Sequence, residues 1–256
     1  MQSLGEDIVL LAIRPDGRLS NWDKLRFGLS GAELVRLVAA QKVELRDKRI
    51  AVVDPSPPDD AFLAAALADM RGAKRAPKAA DWVAKRGQSL VDAYLAHLTA
   101  AGVIRAERRR ILRMFPATRW YVVDAGRQAA ARARLDEIAR GSGPVDTAQA
   151  AFGGLVHAVQ LDRVLYPGPA GKAMRDRLER AARSAATTGA EQPGAPETSL
   201  QAATDTVVRA SQAAVQASID AAVQASVRAS IDAAVSASTS AAHHGGHSGG
   251  AVGGHH

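Results

Sequence analysis

No cysteine occurs among the 256 residues, which excludes disulfides, thiol nucleophiles and cysteine-ligated zinc or iron–sulfur centres. The lack of a disulfide framework fits a reducing, cytoplasmic setting. Aromatic residues are also scarce. Three Trp, three Tyr and four Phe give little bulk for a β-sandwich core, and an alanine-dominated composition favours packed helices. Long hydrophobic runs are missing as well. Ile8 to Ile13 falls far short of the roughly 20 apolar residues of a spanning helix, and it follows Glu6-Asp7 instead of the basic residues that open a signal peptide. Any membrane contact is therefore expected to be peripheral. Catalytic signatures are thin: neither a phosphate-cradling Gly loop nor a His-Glu-x-x-His pair is present. No enzyme and no cofactor is expected.

What the chain does have is positive charge, unevenly spread. Through Thr187 there are 31 Lys and Arg against 21 Asp and Glu, and beyond it two against five, so the two parts carry +10 and −3. A basic folded part points to nucleic acid or an anionic membrane, and composition does not choose between them.

The pattern along the chain predicts a mainly α fold: one helical domain with two small β-hairpins over residues 1–187, a linker over 188–198, an Ala/Ser-rich helical repeat segment over 199–241 and a disordered Gly/His tail over 242–256. Leu4 to Ile13 reads as a buried helix ended by Pro15-Asp16-Gly17, and Leu19 to Gly28 as an irregular segment carrying Trp22 and Phe27. Ser30-Gly31-Ala32-Glu33 reads as a capping box that opens a helix to about Gln41. A hairpin follows over Lys42 to Val53, turning at Arg46-Asp47-Lys48, and then the proline-rich loop Asp54 to Pro58, since each proline removes a donor and fixes φ. Asp59 or Asp60 caps a helix to Met70. Further helices are expected over Asp81–Arg86, Ser89–Ala101, Gly126–Ala139, Thr147–Leu165 and Lys172–Ala186. That over Thr147–Leu165 is apolar enough, with Phe152, Leu155, Val156, Val159, Val164 and Leu165, to be central.

In the tail, Ala-Ser-Ile-Asp-Ala-Ala-Val occurs at Ala217 to Val223 and again at Ala229 to Val235. A branched residue every fourth position drifts slowly around a helix and suits a wrapping contact. His243, His244, His247, His255 and His256 could gather a transition metal, but low-complexity histidine is more often inconsequential, and no metal site is assigned. His97 and His157 lie in apolar helices and read as satisfied core or boundary histidines.

The stretch most suggestive of function is Gln88 to Val123. After a helix stopped by Gly102 it mixes Arg105, Arg108, Arg109, Arg110, Arg113 and Arg119 with Ile111, Leu112, Met114, Phe115 and Trp120. In a two-residue alternation Arg110, Leu112 and Met114 share one face while Ile111, Arg113 and Phe115 share the other, so neither face is purely polar or purely apolar. Snorkelling Arg heads with buried apolar tips suit a lipid surface. A helix followed by a basic hairpin also fits a winged-helix nucleic-acid binder, but the helix polar positions Asp92, His97 and Thr99 offer no cation to phosphate, so nucleic acid is the less favoured partner.

Four segments in order, Leu4-Gly5-Glu6-Asp7-Ile8-Val9-Leu10-Leu11-Ala12, Gly28-Leu29-Ser30-Gly31-Ala32-Glu33-Leu34, Tyr94 to Gly102 and Leu155-Val156-His157-Ala158, make the chain resemble the Golgi phosphoprotein three type (GPP domain) family, especially its bacterial members. The resemblance covers about Met1 to Ala182. It implies a helical domain that binds phosphatidylinositol 4-phosphate at the cytosolic membrane face, with an inserting hairpin that supports oligomers and, in eukaryotic relatives, an adaptor role toward glycosyltransferase tails. The family's head-group pocket implies a Trp, matched by Trp22, and three Arg whose places are held here by Ser30, Gln88 and Val91. Arg26, Lys85, Arg86 and Arg119 are the nearby cations expected to replace them. The expectation is thus a non-enzymatic peripheral protein on anionic lipid, with Arg109, Arg110, Leu112, Arg113, Met114 and Phe115 as the membrane hairpin. The alternatives are the winged-helix reading and a scaffold that assembles through its repeat tail, the protein partner being open.

Overall fold

The computed structural model describes residues 4–111, 115–141, 145–187, 202–213 and 216. Contacts divide the chain into a compact unit through Val215 and a second unit from Gln216 onward, which lies almost wholly outside the described residues, as do the linker, the repeats and the Gly/His tail. The first unit is mostly helical with two antiparallel hairpins, as the composition predicts.

Helix α1 (Leu4–Ala12) is apolar on nearly every side and buried. Glu6 and Asp7 occupy its first turn, where acidic groups suit the helix dipole, and they pair with Arg127 and Arg134.

Helix α2 (Trp22–Ala39) departs from the sequence reading. The segment expected to be irregular is its first two turns, and Ser30 to Glu33 is mid-helix instead of a capping box. Ser30 Oγ donates to the Arg26 carbonyl one turn back, while Glu33 reaches a different helix. The cause is tertiary. Gly28 and Gly31 sit where α2 meets its neighbours, and a Cβ on Gly28 would lie 2.8 Å from Val159 Cγ1. Each internal glycine costs a helix about 1 kcal/mol, which close packing offsets here. The start is set by Asn21, in the left-handed region at φ 51°, whose amide donates to the carbonyls of Val159 and Gln160 at 3.0 and 2.8 Å.

Strands β1 (Val43–Arg46) and β2 (Arg49–Val52) form the first expected hairpin, with Val43 opposite Val52 and Arg46 opposite Arg49. Asp47 and Lys48 turn it with φ of 49° and 62°, the two positive values of a type I′ turn. Helix α3 (Ala61–Gly72) is capped by Asp60, which accepts from the Phe62 and Leu63 amides at 2.9 and 3.1 Å and also pairs with Arg36 at 2.8 Å. Asp60→Ala is expected to cost about 1–2 kcal/mol, the usual worth of such a cap, read as a lower melting temperature with the helical content unchanged.

Helix α4 (Ala79–Arg86) runs through a 3-10 turn at Gly87–Ser89 into α5 (Leu90–Ala100), and Gly102, at φ 70°, ends that segment. The second hairpin, β3 (Ile104–Ile111) and β4 (Phe115–Val122), follows, then α6 (Ala125–Arg140), whose Asp124 cap accepts from Arg127 N.

The helix expected over Thr147–Leu165 is two: α7 (Thr147–Ala158) and α8 (Leu161–Leu165). Gln160 adopts φ 59°, and the Val159 and Gln160 carbonyls a continuing helix would use are taken by Asn21. The break also turns Val164 outward, to 42% exposure, where it was expected inside. Phe152, Leu155, Val156 and Val159 are buried, so α7 is central as predicted. Helix α9 (Lys172–Thr187) completes the core, and residues 202–213 form a further helix that buries Ala203, Val207, Val208 and Ser211. Ser211 Oγ meets the Phe27 carbonyl of α2 at 3.4 Å, so the start of the Ala/Ser segment belongs to the packed unit.

Candidate functional site

The β3–β4 ladder runs from Ile104 opposite Val122 at the base to Ile111 opposite Phe115 toward the tip, with Ala106 opposite Trp120 and Arg108 opposite Thr118. Partners that face each other share a side, so Ala106, Trp120, Arg108 and Thr118 lie on one face. Arg105, Tyr121, Glu107, Arg119 and Ala117 lie on the other. The Trp120 face carries no acidic residue. On the opposite face Arg105 pairs with Glu107 and lies over the Tyr121 ring at 5.1 Å. Arg109 and Arg110 are placed by backbone alone, as is Phe115. Leu112, Arg113 and Met114 lie outside the described residues.

At the base of the acid-free face Trp120 stacks on Trp22, with ring centroids 5.8 Å apart and planes at 27°. Trp22 is 41% exposed, a large apolar side chain held at the surface. Arg26 is one turn further along α2, on the same side of the helix. Its guanidinium lies 4.5 Å from the Phe27 ring, and its Nε is buried without a hydrogen-bond partner. A buried cationic donor left open is costly, which marks the place as one where an acceptor would be welcome.

Of the five cationic and aromatic residues predicted to gather around a head group, Trp22 and Arg26 share one surface, and the α4–α5 turn joins them there: a Cβ on Gly87 would lie 2.9 Å from both Cβ and the carbonyl of Arg26. Lys85, two residues before, is exposed. Arg86 turns inward instead, its Nε 3.0 Å from Glu33 Oε2. Arg119 belongs to the hairpin face opposite Trp120, its Cβ covering Gly17 near Asp16. Sequence reasoning missed Trp120 as the partner of Trp22; the pairing becomes legible only once the register of the hairpin is known.

Glu33 is fully buried, and burial pushes its carboxyl up to about 7, with Arg86 opposing only part of the shift. Asp7 is likewise raised by burial against the pull of Arg134. The Tyr94 hydroxyl is raised by burial and by Glu33, and has no hydrogen-bond partner. The two histidines are boundary residues: His97 Nε2 lies 3.3 Å from Glu6 with its ring edge on Phe62, and His157 Nδ1 meets Asp162 at 2.8 Å. Among the described residues no cluster of three or more His, Asp or Glu side chains could hold a metal, and no helix is long and apolar enough to cross a membrane.

The class is that of a mostly helical domain bearing two β-hairpins, the second of them basic and carrying a tryptophan stacked on an exposed one. The chain belongs to the Golgi phosphoprotein 3 (GPP34) family, whose model matches residues 4–234. The match extends well past the Ala182 to which the four sequence segments carry the resemblance, and takes in the helix at 202–213. No curated protein matches the chain.

Proposed function

We propose that the protein is a non-enzymatic, cytoplasmic peripheral membrane protein that binds anionic lipid, of the phosphatidylinositol 4-phosphate class, and that its hairpin supports self-association. The observation that carries this reading is the acid-free hairpin face, with Arg108, at whose base the Trp22–Trp120 pair lies. Tryptophan suits the membrane interface because its ring is apolar and its N–H polar. Arginine adds about 1 kcal/mol per residue near an anionic surface. The unpartnered Nε of Arg26 and the exposed Lys85 offer donors to a phosphate beside that platform, where the family's own arginines are replaced by Ser30, Gln88 and Val91. Family membership supports the reading, in which Arg109, Arg110, Leu112, Arg113, Met114 and Phe115 are the membrane-contacting residues of the hairpin.

Flotation with vesicles tests it, using phosphatidylcholine alone, with phosphatidylserine, and with phosphatidylinositol 4-phosphate. The wild type is expected to float with the anionic vesicles only. The triple change Arg109→Glu, Arg110→Glu and Arg113→Glu is expected to weaken binding by about 100-fold or more, since each reversal removes one attraction and adds one repulsion. Failure to float with any anionic composition, or equal flotation of the triple variant, would overturn the assignment.

A further inference from the structure

Glu33 is fully buried in the middle of α2, yet only one of its oxygens is satisfied. Oε2 accepts from Arg86 Nε at 3.0 Å, and Oε1 is buried with no partner. The other charged groups around it are engaged elsewhere or repel it. Arg36, on the same helix, pairs with Asp60 at the start of α3, and Asp60 acts on Glu33 as a like charge. From α5 the Tyr94 hydroxyl faces it and stays protonated. From α1, Glu6 acts on Tyr94 and is itself held by Arg127 and His97. On the helix at 202–213 Asp205 pairs with Arg209. Arg86 is thus the cation that hydrogen-bonds Glu33, a carboxylate that burial disfavours. The Arg86 side chain retains 20% exposure, so it is not sealed from the surface. It is followed at once by Gly87, whose neighbour is Arg26 with its open Nε, and preceded by the exposed Lys85.

We infer that Glu33 is an internal latch on Arg86: proton uptake by the buried carboxyl releases the guanidinium, which turns outward and joins Arg26 and Lys85 on the anion-binding surface, so that binding tightens on mild acidification. A neutral carboxylic acid keeps at most a weak hydrogen bond to the guanidinium, while water and a phosphate both offer it more. The burial that raises the Glu33 carboxyl to about 7 places the change near neutrality. The inference rests on the lipid-binding reading for its consequence, but the release itself is measurable without lipid.

The test therefore has two arms on the full chain. In the first, the Arg86 Nε–H resonance, assigned by its loss in Arg86→Gln, is followed by NMR across the neutral range. It is expected to titrate in the wild type and to stay at its acidic position in Glu33→Gln. In the second, binding to phosphatidylcholine–phosphatidylserine vesicles is compared at either end of that range. Glu33→Gln is expected to bind at alkaline pH about fivefold more tightly than the wild type, the worth of one added cation, and to lose that gain when Arg86→Gln is combined with it. Every other titrating group is common to all variants and cancels in the comparison. A stationary Arg86 resonance overturns the latch whatever the vesicles do, as does a wild-type pH profile in Glu33→Gln. A resonance that titrates while no vesicle binds supports the release and overturns the lipid reading instead.

Discussion

Replacing Gly31 by leucine is expected to cost the domain about 3 kcal/mol or more, the upper end of overpacking penalties, and to lower its melting temperature by about 6–12 °C for a unit of this size. The position has no free volume. A Cβ there would lie 2.5 Å from Ser211 Oγ and 2.6 Å from Leu155 Cδ2, before the rest of the side chain is counted. Leu155 is wholly buried on the central helix and Ser211 is wholly buried on the helix at 202–213, so neither has solvent to retreat into. Relief would require α2 and α7 to separate, exposing the apolar residues of both. The contrasting change is Gly72→Ala at the end of α3, where a new Cβ meets nothing within 4 Å. That substitution is expected to be neutral or slightly stabilising, because alanine is the better helix former. Thermal unfolding followed by circular dichroism separates the two. An unchanged melting temperature for Gly31→Leu would mean that the helices do not meet at this glycine.

The second large effect is on stability against pH. The Glu33 carboxyl is raised from an ordinary 4.5 to about 7 in the folded protein, so between those values the folded state holds a proton that the unfolded chain has released. Its contribution is fully present below about pH 4.5 and is lost as pH rises through 7. At about 1.4 kcal/mol per unit the shift corresponds to roughly 3 kcal/mol. Glu33→Gln is neutral at every pH and should lack this slope, ending about 2–3 kcal/mol more stable than the wild type at pH 8. The difference between the two proteins isolates the group. The wild-type curve alone does not, because Asp60, with its lowered pKa, works in the opposite sense and loses stability at acid pH. Denaturant unfolding of both proteins at several pH values gives the measurement, and parallel curves would overturn it.

How much of this was legible beforehand divides along a physical line. Local chemistry read correctly: Asp60 as a cap, Asp47-Lys48 within a tight turn, Gly102 as a helix end and the alternation of both hairpins are decided by residues within a few positions of one another. Errors arose where a distant partner overrides a local signal. Gly28-Leu29-Ser30-Gly31 carries the marks of a helix boundary, yet Val159 and Leu155 make those glycines contact points inside one. The break between α7 and α8 is imposed by Asn21, and no feature of residues 147–165 announces it. The candidate site divides the same way. Trp22 and Arg26 were identified by type, but the pairing of Trp22 with Trp120 needed the strand register, and the inward turn of Arg86 needed a carboxylate 53 residues earlier in the chain to be buried.

The grip of Asn21 on the end of α7 spans 138 and 139 residues of sequence. Lys24 adds a hydrogen bond to the Gln160 side chain at 2.7 Å across the same gap. Closing so long a loop is slow relative to local helix formation. On the ribosome the first turn of α2, and with it Trp22, therefore cannot be locked in place until Gln160 has emerged. The nascent chain carries its surface tryptophan without this anchor until well over half of its length has been made.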